Sequence, residues 1–119
     1  MVLIEIRNWM NEEIIYTYEG ENATIKDAVE DAVKNGVSLK NANLEEADLE
    51  EAELCGADLS NANLKGAYLR YAELCKANLE GANLEGADLE KADLSFAFLK
   101  TANLDDADLC GVHLFGADM

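Results

Sequence analysis

Outside its carboxylates, the chain's obvious candidates for metal or nucleophilic chemistry are Cys55, Cys75, Cys110 and His113. Cys110-x-x-His113 has the spacing of a metal-ligand pair, and zinc holds such ligands ~2.0 to 2.3 Å from one ion. Carboxylates are far more numerous, with 25 acidic residues against 9 basic. They recur at intervals of twenty: Glu53, Glu73 and Asp93 form one series that runs on to His113, and Asp48, Asp88 and Asp108 form another interrupted by Tyr68. Paired carboxylates perform acid and base chemistry when a site that excludes water drives their pKa values apart. No phosphate-cradling loop of the Walker or dinucleotide type accompanies them, because the glycines of this region fall at one position of a five-residue unit.

That unit must position everything else. From Val37 to Met119 the chain repeats Ala-(Asp/Asn)-Leu followed by two polar residues, without insertion: Ala42-Asn43-Leu44-Glu45-Glu46, Ala47-Asp48-Leu49-Glu50-Glu51, and onward to Ala117-Asp118-Met119. Leu holds every central position from Leu39 to Leu114, and a small apolar residue precedes it by two, with Val at Val37 and Val112. A period this strict marks a repeat architecture. Five fits neither a helical face nor the alternation of an ordinary strand. Two inward residues followed by three outward ones describe a short face and a corner.

The pattern resembles that of the pentapeptide repeat family. The resemblance implies a mainly β fold, a right-handed quadrilateral β-helix with Leu and the small residue inside, one coil per four repeats and about four coils over residues 37–119. Successive coils would stack as in a parallel sheet, ~4.8 Å apart. A twenty-residue coil has independent support in the sequence. It places Asn43, Asn63, Asn83 and Asn103 in one column, and it alternates opposite charges up the columns Glu45, Lys65, Glu85 and Glu50, Arg70, Glu90. Opposite charges on stacked neighbours favour this register.

The same grid bears on the candidate chemistry. Cys75 lies roughly 10 Å in height from His113, two coils away, which removes it from a common metal site. Cys55 and Cys75 stack in adjacent coils within the reach of a disulfide, but in a reducing cytoplasm the expectation is two free surface thiols. The carboxylate columns stand on a convex wall with no cleft expected. Stacked like charges there should raise some of their pKa values. The expectation is a protein that is not an enzyme and has no cofactor.

Residues 1–36 form a separate leader. Val2 to Arg7 and Ile14 to Glu19 carry strand-like alternation and β-branched residues, giving a hairpin that turns over Asn8 to Glu13. Thr24 and Asp27 have capping-box spacing, Ile25, Ala28, Val29, Ala32 and Val33 share a helical face, and Gly36 closes the helix. This ββα unit is expected to cap the first coil, because a repeat stack must shield its ends. Its aromatics, Trp9, Tyr16 and Tyr18, read mainly as its own core, with strand addition along the hairpin edge as the alternative.

At the other end the repeat runs to Met119 with no second capping unit in view, so a coil edge and a Leu core are expected to lie open. Phe96, Phe98 and Phe115 cluster beside that edge, and with Met119 they read as a self-association surface of a homodimer.

The net charge is −16, and residues 37–119 contribute 17 acidic and 6 basic residues. Direct nucleic-acid binding is disfavoured, since phosphate contacts need positive charge. Glu45, Glu46, Asp48, Glu50, Glu51, Glu53, Glu73 and Asp93 are the candidate acidic surface. The main reading is a structural or protein-interaction module. The alternative, which the family resemblance allows, is a DNA mimic that binds a DNA-binding enzyme such as DNA gyrase. The absence of a signal-like segment or a membrane-length apolar run gives a cytoplasmic expectation.

Overall fold

The computed structural model describes residues 1–119. Strands β1 (Val2–Arg7) and β2 (Ile14–Gly20) form an antiparallel hairpin in which Ile4 opposes Tyr18 and Ile6 opposes Tyr16, with a register shift after Ile6. Helix α1 (Ile25–Lys34) begins at Thr24, whose side chain accepts the Asp27 N–H while the Asp27 carboxylate accepts the Thr24 N–H. Two of the backbone donors that a helix start leaves unpaired are thereby satisfied. Gly36, at φ +71°, turns the chain out of the helix.

From Leu39 onward the backbone winds in coils of twenty residues. Parallel bridges join Asn43 to Asn63, Asp48 to Tyr68, Glu53 to Glu73 and Asp58 to Asn78, and each of these four columns continues upward at the same interval. The coil therefore has four faces. Each rung is a short ladder in which Leu44 N–H donates to the Asn63 carbonyl and Asn63 N–H to the Ala42 carbonyl, at 2.8 and 2.9 Å.

Corners recur every five residues. Ala47 N–H donates to the Leu44 carbonyl, closing a four-residue turn whose third residue, Glu46, has φ 56°. A type II turn requires that left-handed position, and it explains the glycines at the last place of the repeat. The position before Leu is Asp or Asn for a related reason. The side-chain oxygens of Asn63, Asn83, Asp88, Asp93 and Asp108 each accept the N–H two residues on, at 3.0 to 3.2 Å. Such Asx turns need a short polar side chain.

Ala and Leu point inward and form one buried cluster from Leu39 to Leu99, which Ile6, Ala28, Val29 and Ala32 of the leader join without a break. The hairpin also bonds to the first coil directly: Asn43 N–H donates to the Arg7 carbonyl and Trp9 N–H to the Asn41 carbonyl. On another face the Glu30 carboxylate accepts Glu53 N–H at 2.8 Å.

Candidate functional site

Three surfaces carry the residues singled out in the sequence. The first is the coil that ends at Met119. In the coils before it Ala and Leu are closed off from solvent, with Leu94 at 0% exposure, whereas Leu104, Leu109, Val112 and Leu114 are only partly buried. Phe96 and Phe115 meet edge to face with ring centres 5.4 Å apart, because Phe96 N–H pairs with the Phe115 carbonyl across adjacent coils. Phe98 is 45% exposed, Phe115 76% and Met119 66%. The structure thus brings Phe96 and Phe115 into contact and places Phe98 in the neighbouring column, bridged to Asp118.

The second surface is acidic and is divided among faces. Glu45 and Glu46 border a groove with Lys65, Glu85 and Asp106. Asp48, Glu50 and Glu51 face the start of α1, near Thr24 and Lys26. Glu53 and Glu73 line a cleft of about 570 Å³ opposite Asp27, Glu30, Asp31 and Lys34 of α1. This cleft corrects the expectation of a plain convex wall: α1 lies across the face and builds a second bank.

At Asp93 the expected upward pKa shift is corrected. Asp93 is held below the usual carboxylate range, because the Ser95 hydroxyl and N–H bond its charged form and His113 stands above it. At Asp58 burial acts upward, but hydrogen bonds from Ser60 and Ser38 outweigh it and the net shift is downward. The one titrating group of the leader that is pushed up is Tyr16, whose hydroxyl donates to the Asp31 carboxylate. Hydrogen-bond partners within reach, donors at Asp58 and Asp93 and an acceptor at Tyr16, rather than like-charge stacking, decide the sign at these groups.

Basic residues intervene on two of these faces. Arg70 bonds Glu90 at 2.9 Å and Asp88 at 3.3 Å, and Lys65 approaches Glu85 at 3.6 Å. Asp88, Glu90 and Asp108 can bring one carboxylate oxygen each within 4.8 Å of the others, a spacing compatible with a cation, but the Arg70 guanidinium already occupies the Asp88 and Glu90 side of that group.

The third location is the thiol pair. Cys55 and Cys75 form a disulfide with their Cα atoms 4.6 Å apart, and Cys110 is free and exposed. The expectation of two free thiols is corrected here. In-register stacking places the two side chains face to face on adjacent coils, at a separation that a disulfide spans without backbone movement. In the leader, Tyr16 and Tyr18 pack against the core as read from the sequence, but Trp9 does not, being 46% exposed.

A closed stack of four-faced coils built from five-residue units defines a solenoid repeat protein. The chain belongs to the pentapeptide repeat family: the model for pentapeptide repeats (8 copies) matches residues 35–70 and 67–106. Among solved structures it is similar to a pentapeptide repeat protein from Nostoc Pcc 7120, at 40% identity over 71% of this chain and 70% of that one, with a TM-score of 0.69. It is also similar to a pentapeptide repeat protein from the Arabidopsis thaliana thylakoid lumen, at 31% identity over 67% of this chain and 58% of that one, with a TM-score of 0.55. Among curated proteins none matches this chain.

Proposed function

We propose that this protein is a non-enzymatic interaction module that pairs with a second copy of itself through the coil bearing Leu104 to Met119. The observation that carries the reading is the change in burial along one repeating core. Positions that are sealed at Leu84, Leu89 and Leu94 become partly open at Leu104, Leu109 and Leu114, beside the exposed rings of Phe98 and Phe115. The backbone N–H groups of Leu104, Leu109 and Leu114 have no backbone acceptor, unlike those of Leu84, Leu89 and Leu94. An apolar patch ringed by unpaired strand edge is self-complementary, so a second copy satisfies both needs at once. At the opposite end the ββα leader serves as the cap. We read the winding as right-handed, the hand that parallel strands joined by crossovers adopt almost without exception.

Light scattering tests the pairing, on the full chain and on a variant with Phe96, Phe98 and Phe115 changed to Ser. The expected result is a dimer mass for the first and a monomer mass for the second. A monomer for the unaltered chain at micromolar concentration overturns the proposal.

A second reading, mimicry of DNA towards an enzyme such as DNA gyrase, is favoured by one feature, the two acidic banks of the α1 cleft at Glu53, Glu73, Asp27, Glu30 and Asp31. Against it stand the cations that interrupt the negative wall, Lys65 and Arg70 above all. Competition with DNA for gyrase at low ionic strength decides this reading, and no competition there removes it.

The cytoplasmic setting that we propose agrees with the exposed, unpaired thiol of Cys110, while the Cys55–Cys75 disulfide points the other way; the setting is therefore decided by the redox state of that pair in the cell. It predicts that rapid alkylation of whole cells traps Cys55 and Cys75 mostly reduced. A mostly oxidised pair counts against that setting and leaves the dimer reading untouched.

A further inference from the structure

The exposed Trp9 has no role in the self-association surface and stands against a different face of the solenoid. Its loop is tied down on both sides. Asn8 N–H donates to the Glu13 carbonyl, Trp9 N–H to the Asn41 carbonyl, and the Asn8 side chain accepts Met10 N–H. The indole N–H donates to the Asn61 carbonyl at 2.7 Å, which fixes the ring by its edge. The ring then forms one wall of a cavity of about 170 Å³ whose other walls are Asn61, Ala62, Asn63, Gly81 and Asn83. A volume of that order holds several waters and is room for a single ring.

The polar groups of this cavity are not all used by the fold. In the Asn column, the Asn63 amide nitrogen bonds Asn43 and Glu45, and the Asn103 amide nitrogen bonds Asn83 Oδ1. Asn83 Nδ2 and the whole Asn61 carboxamide make no hydrogen bond within the chain. Gly81 contributes by having no side chain: a Cβ there would stand 2.1 Å from Asn61 Oδ1 and displace that amide. The result is an indole wall with free amide donors and an acceptor around it, and no ionised group in the lining.

We propose that this cavity binds a neutral hexopyranose unit, alone or as the end of a glycan. A pyranose ring has an apolar C–H face that stacks on an indole and a rim of hydroxyls that both donate and accept, which is what free carboxamides pair with. Asn61 is exposed and Asn83 half-buried, so their amides are hydrated in the free protein; a ligand that covers them without replacing those hydrogen bonds loses affinity, which favours a hydroxyl-rich ligand over a purely apolar one. The uncharged lining selects against anionic ligands, and the protein's net charge of −16 repels nucleotides.

Trp9 is the only tryptophan, so its fluorescence reports on this cavity alone. The full chain is titrated into the millimolar range with methyl glucopyranoside, methyl galactopyranoside, methyl mannopyranoside and N-acetylglucosamine, with uncharged adenosine as the aromatic competitor. The expected result is a saturable change with at least one pyranose, weakened roughly three- to tenfold in Asn83→Ala, the loss of one or two hydrogen bonds. Asn78→Ala, on another face of the coil, is expected to bind as the parent does, and matching thermal melts show that both variants fold. No saturable change with any of the four sugars overturns the proposal. So does saturation by adenosine alone, or unchanged sugar affinity in both Asn83→Ala and Asn61→Ala.

Discussion

At the scale of single residues, what decides behaviour is the neighbour one coil away. Cys55 and Cys75 are distant in sequence yet face each other on adjacent coils. Purified oxidised protein is therefore expected to yield one reactive thiol, Cys110, in a thiol titration, and three after unfolding and reduction. Reducing the pair should cost about 2 to 4 kcal/mol of stability, as for other loops of this size, read from denaturant midpoints. Asp58 is a second case. Its folded pKa is depressed by the Ser60 and Ser38 bonds that outweigh burial, so its contribution to stability is present above the unfolded carboxylate value of ~3.9 and is lost as pH falls through the lower folded value. Asp58→Asn is thus expected to lower the melting temperature at pH 6 and to converge with the parent as pH falls through the depressed folded value. A constant difference across that range would contradict the assignment. Of the Ser donors that set this sign, Ser60 lies at a corner of the repeat and Ser38 at the place before Leu39, and in the sequence alone both look like interchangeable polar residues.

At the scale of the element, the repeating unit was legible because its two inward positions admit almost no variation. Leu79 is fully buried and Leu114 only partly so, although the repeat writes them identically. Leu79→Ala is expected to cost about 2 to 5 kcal/mol and Leu114→Ala at most about 2 kcal/mol, compared in urea melts. Equal losses would mean that the last coil is as closed as the others. The helix was equally legible, since Thr24 and Asp27 mark its start and the structure joins them reciprocally. What the sequence did not disclose was where α1 lies relative to the coils, and therefore the cleft that it forms with Glu53 and Glu73. That placement depends on Ile6, Ala28, Val29 and Ala32 sharing the core of the repeat, a contact between segments with unrelated periodicities. Trp9 escaped for the opposite reason. In a short leader an aromatic is usually core, and only the fixed loop around Asn8 turns this one outward.

At the scale of the whole molecule, a stack in which each coil touches only its neighbours has stability that varies along its axis. Hydrogen exchange is expected to be slowest at Leu64 and Leu84, whose N–H groups are bonded at 2.7 Å inside the stack, and fastest among the Leu positions at Leu104, Leu109 and Leu114. Raising protein concentration should slow those three selectively, because pairing through that edge supplies their missing acceptors. Slowing spread evenly over the molecule would place the contact between copies elsewhere. The four-column winding also gives the gene a kind of dial. Losing one five-residue unit leaves Ala and Leu inside and the corners intact, but it turns everything downstream by a quarter of a circle. Losing four units restores the bearing and shortens the rod by one storey. Among length variants of this chain, then, the compass angle between Trp9 and the Phe96–Phe115 pair changes in four discrete steps, and repeat number in such a lineage is a record of orientation as much as of size.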